Sequence, residues 1–306
     1  MQRPVYPAVV ASECGAALYP QNSLGGFCHC LDMNVDGIEF DVHLSRDGEV
    51  VVQHDYRLNK RITRHVNGDW LKNTGPALCE LTLAELAQYD IGRYQPDSYE
   101  EKSYPNYQPV DGERIPTLKQ LLNAYQDHPN SPALWIELKT SPFQREISAD
   151  PARLLENVMA QVQRLNLSQQ CVLLAFEWDL LVAAKTQYPT IQTDFLTINP
   201  AYIQSSLKLQ SETDPFSLYG KFNPADFSED YASAILAAGG DWWGPLINDV
   251  SVEDVARAQA MNLKVNLWGV ESTPDGIEHA LAYRAEALTL SDPGILQRSL
   301  LANGEA

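Results

Sequence analysis

In the run Gly37-Ile-Glu-Phe-Asp-Val42, Glu39 and Asp41 stand two residues apart in an otherwise apolar or small segment. On a β-strand, residues i and i+2 share a face, so both carboxylates point one way while Ile38, Phe40 and Val42 take the other. Two carboxylates aimed together repel unless a cation lies between them, which implies a metal. Trp135-Ile-Glu-Leu-Lys139 is a second apolar strand, carrying Glu137 and, on the same face, Lys139. Three carboxylates from neighbouring strand ends suit a hard cation with oxygen ligands, one Mg²⁺ or Ca²⁺, with water and a phosphate oxygen completing the shell. Lys139 would offer a phosphate a compact positive charge, or else pair with Glu137. His54-Asp55 closes Val50-Val-Val-Gln, and an imidazole beside three carboxylates is a candidate proton-transfer group.

Such groups need a frame that gathers strand ends. Short β-branched or aliphatic runs predict eight strands: Ala8–Ser12, Gly37–Val42, Leu134–Lys139, Cys171–Phe176, Thr193–Ile198, Asp241–Pro245, Lys264–Val270 and Ala287–Ser291. Helical periodicity falls between them, at Leu24–Met33, Thr117–Tyr125, Pro151–Leu165, Leu180–Thr186, Ser228–Ala238, Val252–Ala260 and Gly276–Tyr283. Asp150 and Ser251 are natural helix caps. This alternation predicts an α/β fold, a (β/α)₈ TIM barrel forming one domain over residues 1–306. Asp47-Gly48 marks a hairpin, after which Glu49–His54 runs as a short strand beside the second barrel strand. Residues 56–114, rich in Asn, Tyr, Pro and Asp, read as an insertion over the barrel mouth, serving as lid, pocket wall or decoration.

With 22 basic and 40 acidic residues, the net charge of −18 repels nucleic acid and anionic lipid, so the expected partner is a small soluble molecule. Met1–Pro7 lacks the shape of a secretory signal, and no apolar run reaches 18 residues, so neither export nor membrane insertion is expected. Cys14, Cys28, Cys30, Cys79 and Cys171 form an odd set without a Cys-x-x-Cys pair, consistent with free thiols in a reducing cytoplasm. Cys28-His29-Cys30 cannot converge on a metal within a helix, because i and i+2 diverge there.

The order Glu39, Asp41, Asp47-Gly48, Val50-Val-Val-Gln-His-Asp55 resembles the glycerophosphodiester phosphodiesterase family, with its apolar-Glu-apolar-Asp-Val strand, Asp-Gly turn and His-Asp pair. Tyr19-Pro-Gln-Asn-Ser23, Leu58–Thr63, Leu81–Gly92, Ile115-Pro-Thr-Leu118, Glu137-Leu-Lys139, Leu174-Ala-Phe176, Val265–Val270 and Ser291-Asp-Pro293 extend the likeness over nearly the whole chain. The resemblance implies a phospholipase-C-like barrel that converts glycerophosphodiesters into glycerol 3-phosphate and an alcohol. It implies Glu39, Asp41 and Glu137 as metal ligands, His54 as one of two catalytic histidines, Lys139 as a phosphate contact and Trp268 as a substrate-side wall or core residue.

This chain departs from the family at one patch. Where the family has His-Arg-Gly the chain has Glu13-Cys14-Gly15, and Gln21 replaces a glutamate. A thiol cannot reproduce a bidentate guanidinium clamp on phosphate. Glu13, crowded by carboxylates, could hold a proton near neutrality and act in catalysis, or ligate the metal as a fourth carboxylate. Two readings follow: a metal-dependent phosphodiester hydrolase of altered specificity or rate, or an impaired homologue binding a metal and a small polar or phosphate ligand. A redox role for Cys14 is disfavoured, since neighbouring carboxylates should raise its pKa.

Overall fold

The structure is a computed structural model describing residues 6–206 and 214–302. Its strands are β1 Ala8–Ala11, β2 Gly37–Leu44, β3 Val50–Val52, β4 Arg64–His65, β5 Tyr89–Asp90, β6 Ala133–Leu138, β7 Cys171–Ala175, β8 Gln192–Thr197, β9 Trp242–Pro245, β10 Lys264–Leu267 and β11 Ala287–Leu290. The main sheet runs β1-β11-β10-β9-β8-β7-β6-β2-β3, and β1 also pairs with β2. Eight parallel strands thus have the connectivity of a (β/α)₈ barrel, with β3 added antiparallel to β2. Packing divides the chain into two compact units, Val10–Cys171 with Ser291–Gly294, and Met1–Val9, Val172–Leu290 with Ile295–Ala306.

In the first unit every residue of β2 is buried. Its register against β6 sets Asp41 beside Glu137 and Glu39 beside Trp135. The opposite face is apolar: Phe40 meets Phe27 of the helix Leu24–Asp32 edge-on, with ring centroids 5.9 Å apart. Ser23 caps that helix by accepting from the Gly26 amide at 2.9 Å. Gly26 has no room for a side chain, because a Cβ would lie 2.8 Å from the Cys14 carbonyl oxygen. β2 extends two residues beyond the expected end, since Leu44 pairs with Val50 across the hairpin.

Residues 56–114 are more structured than their composition suggested. Leu58, Leu78, Leu86, Ile91 and Ile115 are buried with Val51 in a core of their own, and β4 pairs with β5. Arg64 bonds Asp90 at 2.9 Å and also meets Asp111, which holds Arg93. The aliphatic residues supplying this core are too widely spaced to show a helical or strand period, which hides it in the sequence. The insertion is fastened to the loop after β1. Tyr94 Oη donates to the Ala16 carbonyl at 2.8 Å, the Gln108 amide to Leu18 at 2.8 Å, and Glu113 accepts from the Gly25 amide at 3.1 Å.

In the second unit, Trp178 is fully buried and donates from its indole to the Leu196 carbonyl at 3.0 Å, packing edge-on to Phe195. Asn266 donates to Asp194 at 3.0 Å and accepts from Thr289 at 2.9 Å, linking β8, β10 and β11. The helix expected from Ser228 starts at Tyr231, because Ser228 and Glu229 are left-handed and Asp230 serves as cap. β10 ends at Leu267 rather than Val270, where Gly269 takes a φ of 73°. Among the described residues no helix is long and apolar enough to cross a membrane.

Candidate active site

The first unit brings the expected ligands together. Glu39 and Asp41 from β2 and Glu137 from β6 each offer an oxygen, all within 4.8 Å of one another. Lys139 joins them, its Nζ 2.8 Å from Glu137 Oε1 and 3.3 Å from Asp41 Oδ1. Of the roles expected for Lys139, the pairing with Glu137 is present. Three carboxylates confront one ammonium, so Lys139 alone does not balance the charge of the cluster. Apart from that 3.3 Å ion pair with Lys139, the buried Asp41 Oδ1 has no hydrogen-bond partner among the described residues. Burial, with the charges of Asp41 and Glu137, holds Glu39 well above the ordinary carboxylate pKa. Such a site prefers a cation or a proton to bare charge, so the donor set fits a hard metal ion. Glu39, Asp41 and Glu137 would hold it.

Glu13 reaches this centre through strained backbone. Glu13, Cys14 and Gly15 have successive φ values of 47°, 61° and 79°, all left-handed. Each non-glycine residue there costs about 1–2 kcal/mol. The strain aims the Glu13 amide at Glu39 Oε2, 2.7 Å away. Burial raises the Glu13 carboxyl to about 7, with His54 opposing and Asp41 and Asp55 adding to the rise. A carboxyl poised there can give or take a proton at neutral pH.

His54 and Asp55 form a pair. Asp55 Oδ1 lies 3.0 Å from His54 Nδ1, and its Oδ2 accepts from Asn59 Nδ2 at 2.7 Å. Burial pushes the Asp55 pKa up, but the hydrogen bond and charge of His54 prevail and hold it at about 2. An ionised carboxylate only accepts, so Nδ1 carries the proton and Nε2 is left for chemistry. Lys139 and burial push the imidazolium pKa down, yet Asp41, Glu13 and Asp55 together outweigh them and raise it to about 10.

Two supporting residues escaped sequence reasoning. Asn22 lies within the Tyr19–Ser23 likeness but was given no role. It is fully buried and grips Asp41 twice, donating from Nδ2 to Oδ2 at 2.8 Å and accepting from the Asp41 amide at 3.0 Å. His43 continues the two-residue period of Glu39 and Asp41, a signal present in the sequence. Its Nε2 lies 3.2 Å from the His54 carbonyl oxygen, and its ring meets Tyr56 edge-on. Burial, then Lys139, lowers its pKa to about 4, so it is neutral and donates to that carbonyl.

Cys14 is fully buried. Its pKa is raised well above the thiol range, as expected, but burial is the main cause, ahead of Cys30 and the carboxylates Glu39, Asp41 and Glu13. Cys30 and Cys171 are also buried, while Cys28 and Cys79 are partly exposed. A thiol reagent at neutral pH should thus label at most Cys28 and Cys79 in native protein and all five after denaturation; rapid native labelling of Cys14 would contradict its burial. Cys28 and Cys30 do lie on one short helix, and they are absent from the metal-competent cluster found among the described residues.

Trp268 belongs to the second unit, just past β10. Its indole donates to the Gly244 carbonyl at 3.0 Å and its ring meets Phe176 edge-on.

Residues 15–294 match the model of the glycerophosphoryl diester phosphodiesterase family. The chain belongs to that family. A Bacillus subtilis glycerophosphodiester phosphodiesterase is 30% identical over 132 residues, 43% of this chain and 39% of its own length. A second Bacillus subtilis relative, YhdW, is 28% identical over 189 residues, 62% of this chain, and the chain spans 65% of its length, under two thirds. Among solved structures, a Silicibacter pomeroyi protein bearing the family's name is 27% identical, with a TM-score of 0.84 over 99% of this chain and 95% of that one. An Oleispira antarctica phosphodiesterase, solved in complex with the product sn-glycerol-3-phosphate, shares the fold at 18% identity and a TM-score of 0.69, over 96% of both chains. Within the family fold, the Glu13-Cys14-Gly15 patch occupies the strained turn just described.

Proposed function

We propose that the chain is a metal-dependent phosphodiester hydrolase acting on glycerophosphodiesters to give glycerol 3-phosphate and an alcohol. The observation that carries this reading is the convergence of Glu39, Asp41 and Glu137 within 4.8 Å, more carboxylates than Lys139 alone can balance. One Mg²⁺ or Ca²⁺ held there would supply Lewis-acid stabilisation of the phosphate. Lys139 adds a positive charge beside the non-bridging oxygens. His54, oriented by Asp55, and Glu13 form the acid–base pair: one takes the proton of the attacking oxygen and the other protonates the departing alkoxide as its P–O bond breaks. The attacking oxygen is that of water or of a neighbouring glycerol hydroxyl, the latter through a cyclic phosphate. For Trp268, its place at the end of β10 supports a substrate-side role, which Trp268→Ala tests through a rise in KM. The net charge of −18 supports a small soluble substrate, and the five free cysteines support a reducing, cytoplasmic setting.

The test is hydrolysis of glycerophosphodiesters by protein stripped of metal and then reloaded with Mg²⁺ or Ca²⁺. Release of glycerol 3-phosphate by the reloaded protein alone is expected. No release with any diester, despite normal ion binding, would favour the second reading, an impaired homologue that binds metal and a phosphate ligand. The rewritten Glu13-Cys14 pair is what favours that alternative. Glu13→His separates the two: activity arising only in the variant supports the impaired homologue, and activity falling about 10²-fold or more supports a retuned enzyme.

A pH dependence follows from Glu13. Its folded pKa of about 7 exceeds the ordinary 4.5, so between those values the folded state holds a proton that the unfolded state has lost. That contribution to stability is fully present below pH 4.5 and is lost as pH rises through 7. An ion bound by the carboxylates competes with protons, so its stabilisation grows with pH. The difference in Tm between ion-loaded and chelator-treated protein should widen from pH 5 to pH 7.5, and Glu13→Gln should flatten the chelator-treated profile.

A further inference from the structure

The segment after His54-Asp55 builds a cavity of about 360 Å³ whose wall includes Asp55, Tyr56, Arg57, Asn59, Lys60 and Arg61. Three of the chain's 22 basic side chains thus stand within five consecutive positions, in a protein of net charge −18. The one acidic group on that wall is already engaged, since Asp55 spends its two oxygens on His54 and Asn59. Arg57 lies 3.6 Å from Glu80 and Arg61 2.9 Å from Glu100, with the guanidinium-bearing side chains 40% and 50% exposed. The Arg57–Glu80 pair, exposed on both sides, is of the weak kind that yields readily to a better anion, whereas Arg61 is held by the largely buried Glu100 and adds its charge from there. Lys60 is exposed, and no carboxylate pairs with it among the described residues.

The cavity is tied to the reaction centre on two sides. Asp55 lines it while orienting His54. Tyr56 lines it while donating from its hydroxyl to the Thr140 carbonyl at 2.9 Å, one residue beyond Lys139. Through these two contacts the basic cavity adjoins residues that flank the carboxylate centre. Two guanidiniums and an ammonium match the oxygens of a phosphate monoester, with the fork geometry of arginine suited to paired oxygens.

We propose that this cavity is a subsite for a phosphate monoester carried on the alcohol side of the substrate, so that the preferred diesters bear a second phosphate; the proposal rests on the phosphodiesterase reading above. The substrate class is then a glycerophosphodiester with a phosphorylated alcohol, rather than one with a neutral or cationic head.

The test compares glycerophosphoglycerol with the same compound phosphorylated on its terminal hydroxyl, using protein loaded with Mg²⁺ or Ca²⁺. Wild type should favour the phosphorylated diester in kcat/KM by about tenfold or more. Lys60→Glu, a surface change, should cut that ratio sharply, and the Arg57→Gln/Lys60→Glu pair should bring it near one. Lys119→Glu, the same charge reversal on an exposed helical position elsewhere, should leave the ratio at the wild-type value. A wild-type ratio of one or below, or a ratio that survives in both variants, overturns the subsite while leaving the phosphodiesterase reading intact. If neither diester is hydrolysed, that reading fails, and the same two compounds are compared by calorimetric affinity. Equal affinities then overturn the subsite, and a tenfold preference lost in Lys60→Glu upholds it.

Discussion

Asp41→Asn should lower kcat/KM on glycerophosphodiesters by at least about 10³-fold, the several kcal/mol expected when a metal centre is lost. The substitution is nearly isosteric and keeps an oxygen that can accept from Asn22, 2.8 Å away in the wild type. What disappears is one of the negative charges confronting Lys139, together with the buried Oδ1 that lacks a hydrogen-bond partner. In chelator-treated protein the change removes repulsion toward Glu39, whose pKa is raised partly by Asp41. It also gives up the attraction to Lys139 and His54. Burial pushes the Asp41 pKa up, but that attraction and the Asn22 hydrogen bond outweigh it and hold the carboxyl below the ordinary carboxylate range. Without the ion the variant should therefore fold cooperatively but be somewhat less stable than wild type. Adding Mg²⁺ or Ca²⁺ should raise the Tm of wild type and leave that of Asp41→Asn almost unmoved. A variant that lost activity through misfolding would show no cooperative unfolding transition in chelator.

His54→Gln should lower kcat by about 10²–10⁴-fold, the range for removing one positioned acid or base. Its signature is the contrast with Asp41→Asn, because His54 is not among the three converging ligands. Ion affinity should persist, and the ion should still raise Tm. Asp55→Asn removes the charge that fixes Nδ1–H, which lies 3.0 Å from Oδ1, without removing the imidazole. It should cost less than His54→Gln and lower the pKa of the surviving imidazole, shifting the pH profile of kcat/KM to lower pH. Equal kinetics for the two variants would mean that His54 acts only by holding Asp55.

Much of this site was legible because strands enforce a strict two-residue alternation. Glu39 and Asp41 interrupt an apolar run, and only a buried strand with one functional face accounts for that pattern. The same logic reaches His43, one step further along, yet a lone histidine carries no charge signal and its hydrogen bond to the His54 carbonyl depends on a hairpin partner in space. Asn22 was hidden for another reason. Its grip on Asp41 needs the turn from Glu13 to Ser23, with Asn22 itself at a φ of 53°. Backbone strain of that kind has no periodic trace.

The expected barrel strands all formed, since β-branched runs between helical segments leave little choice of connectivity. The insertion after the hairpin was read as loop and proved to have a core built from Leu58, Leu78, Leu86, Ile91 and Ile115, residues too far apart in sequence to announce one another. The thiol of Cys14 was expected near carboxylates and lies near them, but its complete burial had no signal in the sequence. Burial depends on what covers a residue in space, and no local pattern of residue types announces that cover.

The most direct test is calorimetric titration of chelator-stripped protein with Mg²⁺ and Ca²⁺, wild type beside a Glu39→Gln/Asp41→Asn/Glu137→Gln variant. One ion bound per wild-type chain, and none by the folded variant, is the predicted result. Undiminished binding by the variant, or no binding by wild type, would contradict it.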